Sequence, residues 1–166
     1  RDTDRSRGLG DVYKRQAMHY YQLSAEEGCA EGLAMMGEML YEGRGCRKSP
    51  AQARKFWKKA ADAGDVAAWV ALGDDAMVQG KGAGAALRAY RKAQKLCAST
   101  PDIAYMPQVC LRVAQYETQY ISRKKALAQL AEAKQGFFVR KEEGDETAQS
   151  WLDETEAVIC QLLERE

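Results

Sequence analysis

Apolar residues return every three or four positions along most of this chain, the spacing that gathers them on one face of a helix. The pattern predicts a helix over 17–27, with Met18, Tyr21 and Ala25 on one side and Gly28 as its left-handed end. A second helix is predicted over 30–42, with Leu33, Met36, Gly37 and Leu40 inward, stopped by Gly43-Arg44-Gly45. Ser49-Pro50 restarts the chain: serine serves as an N-cap, and proline fits the first helical position, where an N–H would be unpaired anyway. The third helix, over 50–63, buries Ala53, Phe56, Trp57, Ala60 and Ala61, and Gly64 closes it. The fourth, over 66–79, presents Trp69, Leu72, Gly73 and Ala76; the fifth, over 84–97, presents Leu87, Tyr90, Ala93 and Leu96.

After Pro101 the pattern loosens. Pro107 would kink a continuous helix, so a turn near 102–106 is expected before a helix running to about Tyr120. Ser122 is read as the cap of a helix over 123–141 whose inward positions include Leu130, Ala133, Phe137 and Phe138. Asp145 caps a last helix over 146–163, carrying Trp151, Leu152, Val158 and Leu162. Alternating strand-like runs are missing and Val and Ile are few, so the chain reads as all-α.

The helices also repeat. Gly28 and Gly64, Gly37 and Gly73, and Tyr21 and Trp57 stand about 36 residues apart, a period that marks a stacked helical array. Each unit is two antiparallel helices that cannot bury both faces alone, so neighbours must stack. Gly37 and Gly73 are the small positions expected to admit the large rings of Trp57 and Tyr90.

Residues 1–16, RDTDRSRGLGDVYKRQ, show little apolar periodicity and no initiator Met. They resemble the translated adapter read-through found at the ends of some assembled metagenomic genes, and are expected to be non-native or disordered. Residues 17–100 then hold the repeats, and 101–166 a divergent helical C-terminal repeat and cap. On this reading the chain is a bacterial fragment that begins mid-repeat, and the apolar face of its truncated N-terminal repeat could self-associate.

The 25 Lys and Arg against 24 Asp and Glu nearly cancel, with or without residues 1–16, which offers no electrostatic argument for nucleic acid or an anionic membrane. No run of about 18 apolar residues exists, so no membrane span is expected. The five cysteines are odd in number and form no CxxC pair, which argues against a zinc site or a full disulfide framework and favours a cytoplasmic location. With the native start taken as missing, secretion stays open.

His19 is the single histidine, beside Tyr20-Tyr21 and with no evident nucleophile. Asp74-Asp75 diverge by about 100° on a helix and read as a solvated face. Arg54-Lys55, Lys58-Lys59 and Arg123-Lys124-Lys125 read as solvated outer faces, and GRG and GKG lack the spacing of a phosphate loop. No catalytic, cofactor-binding or metal-ligating residue is expected, and the chain is not read as an enzyme.

The stretches MMGEMLYEGRGCRKSPAQARKFWKKAADAG and ALGDDAMVQGKGAGAALRAYRKA share one order: a glycine in the first helix, a Gly-x-Gly loop, then an aromatic among alanines. That order resembles the Sel-one-like repeat family, relatives of the tetratricopeptide repeat with a longer internal loop, over 30–97 and back to Ala17. The resemblance implies a right-handed α-α superhelix, or solenoid, of antiparallel helix pairs. It also implies a scaffold that binds a protein or peptide in its concave groove, without a cofactor. In related repeats the first helix of each pair lines that groove. Glu31, Ala34, Glu38, Val70, Asp74 and Met77 would then look inward and make it mildly acidic, suited to a basic or amphipathic segment. The alternative is a structural or regulatory repeat segment of a larger, N-terminally truncated enzyme or signalling protein.

Overall fold

The computed structural model describes residues 2–99, 106–117 and 123–164, with side chains from Tyr13 onward except Glu117. Among these residues all regular structure is helical: α1 (Asp2–Glu26), α2 (Ala30–Glu42), α3 (Pro50–Asp62), α4 (Val66–Val78), α5 (Ala83–Ser99), α6 (Met106–Glu117), α7 (Arg123–Glu142) and α8 (Ala148–Glu164). They form two compact units, residues 1–72 and residues 73–166.

In the first unit α2 packs against both α1 and α3. Leu33, Met36 and Leu40 of α2 meet Ala53, Trp57 and Ala60 of α3, and Met18, Tyr21 and Ala25 of α1 pack on that core. The expected small-to-large contact is present. A Cβ on Gly37 would lie 2.3 Å from Cδ1 of Trp57, so only glycine lets the indole edge come this close. The ring of Tyr41 holds the indole from another side, with centroids 5.1 Å apart.

Gly28 and Gly64 end α1 and α3 in the same way. Both have positive φ, and in each case the next residue reaches back to a carbonyl five positions earlier: Cys29 N to Ser24 O at 3.1 Å, and Asp65 N to Ala60 O at 3.0 Å. This closed turn satisfies carbonyls that the helix end leaves over. The same bond recurs after Gly80 and Gly144, from Lys81 N to Ala76 O and from Asp145 N to Arg140 O, both at 3.0 Å.

Two local expectations are corrected here. Helix α1 begins at Asp2 rather than Ala17. Residues 2–16 carry no clear apolar stripe, but they also carry no proline, and extending a helix already nucleated costs far less than starting one. The loop after α2 packs on this segment, since a Cβ on Gly45 would stand 2.6 Å from the Lys14 carbonyl oxygen. Ser49 does occupy the N-cap of α3, with Pro50 in its first turn, yet its side chain makes no capping bond. Its carbonyl instead accepts from Gln52 N and Ala53 N.

In the second unit α5, α6, α7 and α8 pack in chain order. The core runs through Cys110, Leu111, Leu130, Phe137 and Leu152. A Cβ on Gly73 would lie 2.4 Å from Cε1 of Tyr90, which repeats the Gly37–Trp57 contact. Between α6 and α7 the roles are exchanged: Gly136 of α7 is the small residue, and Pro107 of α6 fills the space against it. Pro107 falls in the first turn of α6, where it interrupts nothing.

Phe137 is fully buried and stacks on Trp151 at 5.8 Å, but Phe138, read as inward, is 53% exposed. Consecutive helical residues point about 100° apart, and the buried stripe takes only one of the two. Helix α8 begins at Ala148 rather than 146, and Asp145 acts in the turn before it, accepting from Thr147 N at 2.8 Å. The readings at 102–105, Tyr120 and Ser122 lie outside the described residues.

Candidate functional site

Helix α2 has two opposed working faces, because residues separated by three, four or seven positions share a side at about 100° per residue. Leu33, Met36 and Leu40 form one, and Glu31, Ala34 and Glu38 form the other. The first is the floor of a cleft of about 670 Å³ between α1 and α3, walled by Met18 and Phe56. None of the six residues expected to line a groove borders this cleft.

On the other face Glu31 is exposed in the first turn of α2, where a carboxylate suits the positive end of the helix. Glu38, two turns on, is half-buried, and Ala34 between them is buried. Asp65, in the turn before α4, accepts a hydrogen bond from Ala68 N at 2.6 Å and so caps that helix. Burial pushes the Glu38 carboxyl up from its ordinary pKa; Arg44 opposes the rise, while Glu42 and Asp65 add to it. Burial likewise raises Asp65 against its backbone hydrogen bonds, and Glu31 adds to the rise. These carboxylates therefore share a local negative field, with Arg44 as a partial counter-charge. Val70 of α4 is half-buried in the same unit.

A carboxyl raised in the folded state favours folding when protonated. Its stabilising contribution is complete below the unfolded-state pKa and is lost as pH rises through the folded-state value. Glu38→Gln should therefore raise the melting temperature of the first unit at neutral pH, and the gain should vanish in acid below the ordinary carboxylate range. Melting curves of both proteins at the two pH values test this; a gain of equal size at both would contradict it.

The remaining two groove candidates, Asp74 and Met77, belong to the second unit and are both half-buried. Asp74 is already engaged. Tyr90 donates its hydroxyl to Asp74 Oδ1 at 2.6 Å, and Arg112 Nε stands 3.6 Å from the same oxygen. Arg112 Nη1 also donates to Glu154 Oε1 at 2.8 Å and to Gln115 Oε1 at 3.1 Å, and its guanidinium lies 5.4 Å from the Trp151 ring centroid. Tyr116 stacks on Tyr90 at 5.7 Å. Burial opposes the charge of Arg112, but Asp74 and Glu154 outweigh it and raise its pKa. Burial and the bond to Asp74 push the Tyr90 hydroxyl well above the usual tyrosine range. Asp75 is buried, with Gln79 donating to its carboxylate, so the two neighbouring aspartates have different partners rather than one shared site.

His19 is exposed beside Tyr20. Among the described residues no three His, Cys, Asp or Glu side chains are grouped to hold a metal ion, and no helix is long and apolar enough to cross a membrane.

A family pattern matches residues 6–29 and 30–65, and it is the Sel1 repeat. Over residues 6–65 the chain is similar to Sel1 repeats. The first matched repeat begins at Ser6, within the segment set aside on composition, and the sequence copy starting at Val66 lies beyond the matched residues. In structure the chain is similar to the Sel1 repeat protein from Oxalobacter formigenes, with a TM-score of 0.57 and 20% identity, over 84% of this chain and 54% of that one. It is also similar to c5321, a protective antigen present in uropathogenic Escherichia coli strains displaying an SLR fold, with a TM-score of 0.60 and 18% identity, over 89% of this chain and 34% of that one. The chain thus spans about half the length of the first and a third of the second. At these identities the likeness concerns the fold, an all-α helical solenoid. No curated protein matches the chain.

Sel1 repeats generally mediate contacts between proteins, and the residues that give this chain its own surface chemistry are only partly those picked out by sequence. Arg112, Glu154 and Asp65 were missed. Asp65 had a local signal, an acidic residue directly after a helix-ending glycine and three before Ala68. Arg112 and Glu154 had none, since they are 42 positions apart and meet only in the fold.

Proposed function

We propose that this chain is a non-enzymatic interaction scaffold whose first unit binds a basic or amphipathic protein segment on the α2 face bearing Glu31 and Glu38. The observation that carries this reading is the shared negative field of Glu31, Glu38 and Asp65. Burial raises Glu38 and Asp65 most, with Asp65 adding to the rise of Glu38 and Glu31 to that of Asp65, and an arriving cation relieves that field, so a Lys- or Arg-bearing segment gains there what solvent does not supply. Half-buried Val70 adds apolar surface in the same unit. Asp74 enters differently from the sequence expectation: with Tyr90 and Arg112 already on it, it organises the second unit rather than offering an open charge.

The test is a titration of a fluorescent, lysine-edged amphipathic peptide followed by anisotropy. Glu38→Lys should weaken binding about 3- to 10-fold through like-charge repulsion, with the helical circular dichroism retained. Binding should also fall on acidification, beginning above the ordinary carboxylate range, because Glu38 and Asp65 take up protons there. Equal affinities for parent and variant, both folded, would remove the α2 face from the interaction.

A further inference from the structure

We infer that the cleft between α1 and α3 is a second docking site, built for an acidic amphipathic segment of another protein. It lies on the opposite side of α2 from the carboxylate face and shares no residue with it, so the two readings stand or fall separately. The floor is a run of two helical turns, Leu33, Met36 and Leu40, about 10 Å long. Met18 on the α1 side and Phe56 on the α3 side are only half-buried, so the walls present apolar surface to whatever enters. Met18 is unbranched and adapts its shape to an incoming side chain.

Charge decides what that segment is. Along the α3 edge stand Lys55 and Lys59, one turn apart and exposed, and neither is paired with a carboxylate among the described residues. Lys59 Nζ lies 5.9 Å from the Phe56 ring centroid, which holds its charge at the mouth of the cleft. The α1 edge is different: Glu26 stands there, accepting a hydrogen bond from Gln22 Nε2 at 3.3 Å. An apolar floor between a basic edge and a mildly acidic one fits a short helical segment. Its bulky apolar side chains would enter the cleft, its Asp or Glu residues would face α3, and its α1-facing edge would be neutral or basic. The asymmetry also fixes the direction in which the segment is rotated about its own axis.

The test uses two synthetic fluorescein-labelled helical peptides with identical leucine faces, one edged with glutamate and one with lysine, titrated by anisotropy against the Glu38→Lys protein, in which the carboxylate face no longer competes for the lysine edge. That protein should prefer the glutamate-edged peptide. Lys55→Glu with Lys59→Glu, both at exposed positions, should weaken that peptide by about tenfold or more and strengthen the lysine-edged one, a reversal that general loss of structure cannot produce. Phe56→Ala in the same Glu38→Lys background should weaken both peptides. Equal affinity of the Glu38→Lys protein for the two peptides would overturn the proposal, as would a charge-reversed version of it that keeps the preference for glutamate. Sedimentation velocity provides the remaining arm: a dimer that the double reversal dissolves and the glutamate-edged peptide fails to displace would mean that a second copy occupies the cleft, and would overturn the assignment to another protein.

Discussion

Gly37→Leu should destabilise the first unit by about 3 kcal/mol, at the upper end of what overpacking a close-packed site costs. A Cβ alone would stand 2.3 Å from Cδ1 and 2.4 Å from Nε1 of Trp57, closer than non-bonded atoms approach, and leucine adds three more carbons in the same direction. The indole cannot simply swing away. It is 4% exposed, Tyr41 packs on it, and its Nε1 is buried with no hydrogen-bond partner among the described residues. That unpaired N–H is itself costly, by about 1–3 kcal/mol. It is tolerated because burying the ring against bare backbone gains more apolar contact than any smaller side chain would.

The pairing can be isolated by a double-mutant cycle. Trp57→Ala alone should cost about 3–5 kcal/mol by opening a cavity. Combined with Gly37→Leu, the two costs should fall well short of additive, because the leucine then has room. Urea unfolding followed by fluorine NMR of fluorotryptophan would resolve Trp57, Trp69 and Trp151 and so report the first unit separately. A Gly37→Leu protein with parental unfolding would contradict the packing described here.

Arg112→Ala should cost the second unit about 2–3 kcal/mol, from two sources. The guanidinium is 19% exposed and hydrogen-bonded to Glu154 and Gln115, and a bond to a charged group is worth about 1.5–3 kcal/mol. Asp74 and Glu154 keep 48% and 35% of their side-chain surface, so water can replace much of what they lose, which holds the total below that of a fully buried pair. The rest is packing of the arginine stem and plane on Trp151. Arg112→Met retains the stem and should recover part of the loss, and Arg112→Lys should fall short of the parent because a single ammonium cannot span both carboxylates as the planar fork does. The Trp151 fluorine signal is the readout. If alanine and methionine were equally destabilising, packing on the indole would have no part in it; if both were silent, the network would be ornamental to stability.

Much of the fold was legible because it is written locally. Gly28 and Gly64 mark helix ends by backbone geometry alone, and the alternation of Gly37 with Trp57 and of Gly73 with Tyr90 is a matter of size at fixed spacing. The start of α1 was not legible, because helix continuation into 2–16 depends on what is already folded beside it rather than on an apolar stripe. Phe137 and Phe138 were indistinguishable as neighbours in sequence, and only the direction of the stripe on α7 separates the buried ring from the exposed one. The candidate surfaces were harder still. Period alone placed Glu38 on a face away from Leu33 and Leu40, but nothing in the sequence said that Asp65 would come near it. Asp74 looked like a solvated acid until Tyr90 and Arg112 arrived from elsewhere in the chain. Lys55 and Lys59 were read as an outer solvated edge, and in isolation they are; what changes their meaning is Phe56 and the cleft beside them.

The closed turns at Gly28, Gly64, Gly80 and Gly144 have open space where a side chain would begin, for a Cβ there would meet no atom within 4 Å. Packing therefore places no demand on these positions; what disfavours other natural residues there is handedness, with asparagine the least disfavoured. A D-alanine prefers the positive φ these turns adopt and would restrict the unfolded chain more than glycine does. The helices of this protein are thus delimited at four points by a requirement for mirror-image backbone, and glycine meets it as the one encoded residue without a chiral centre.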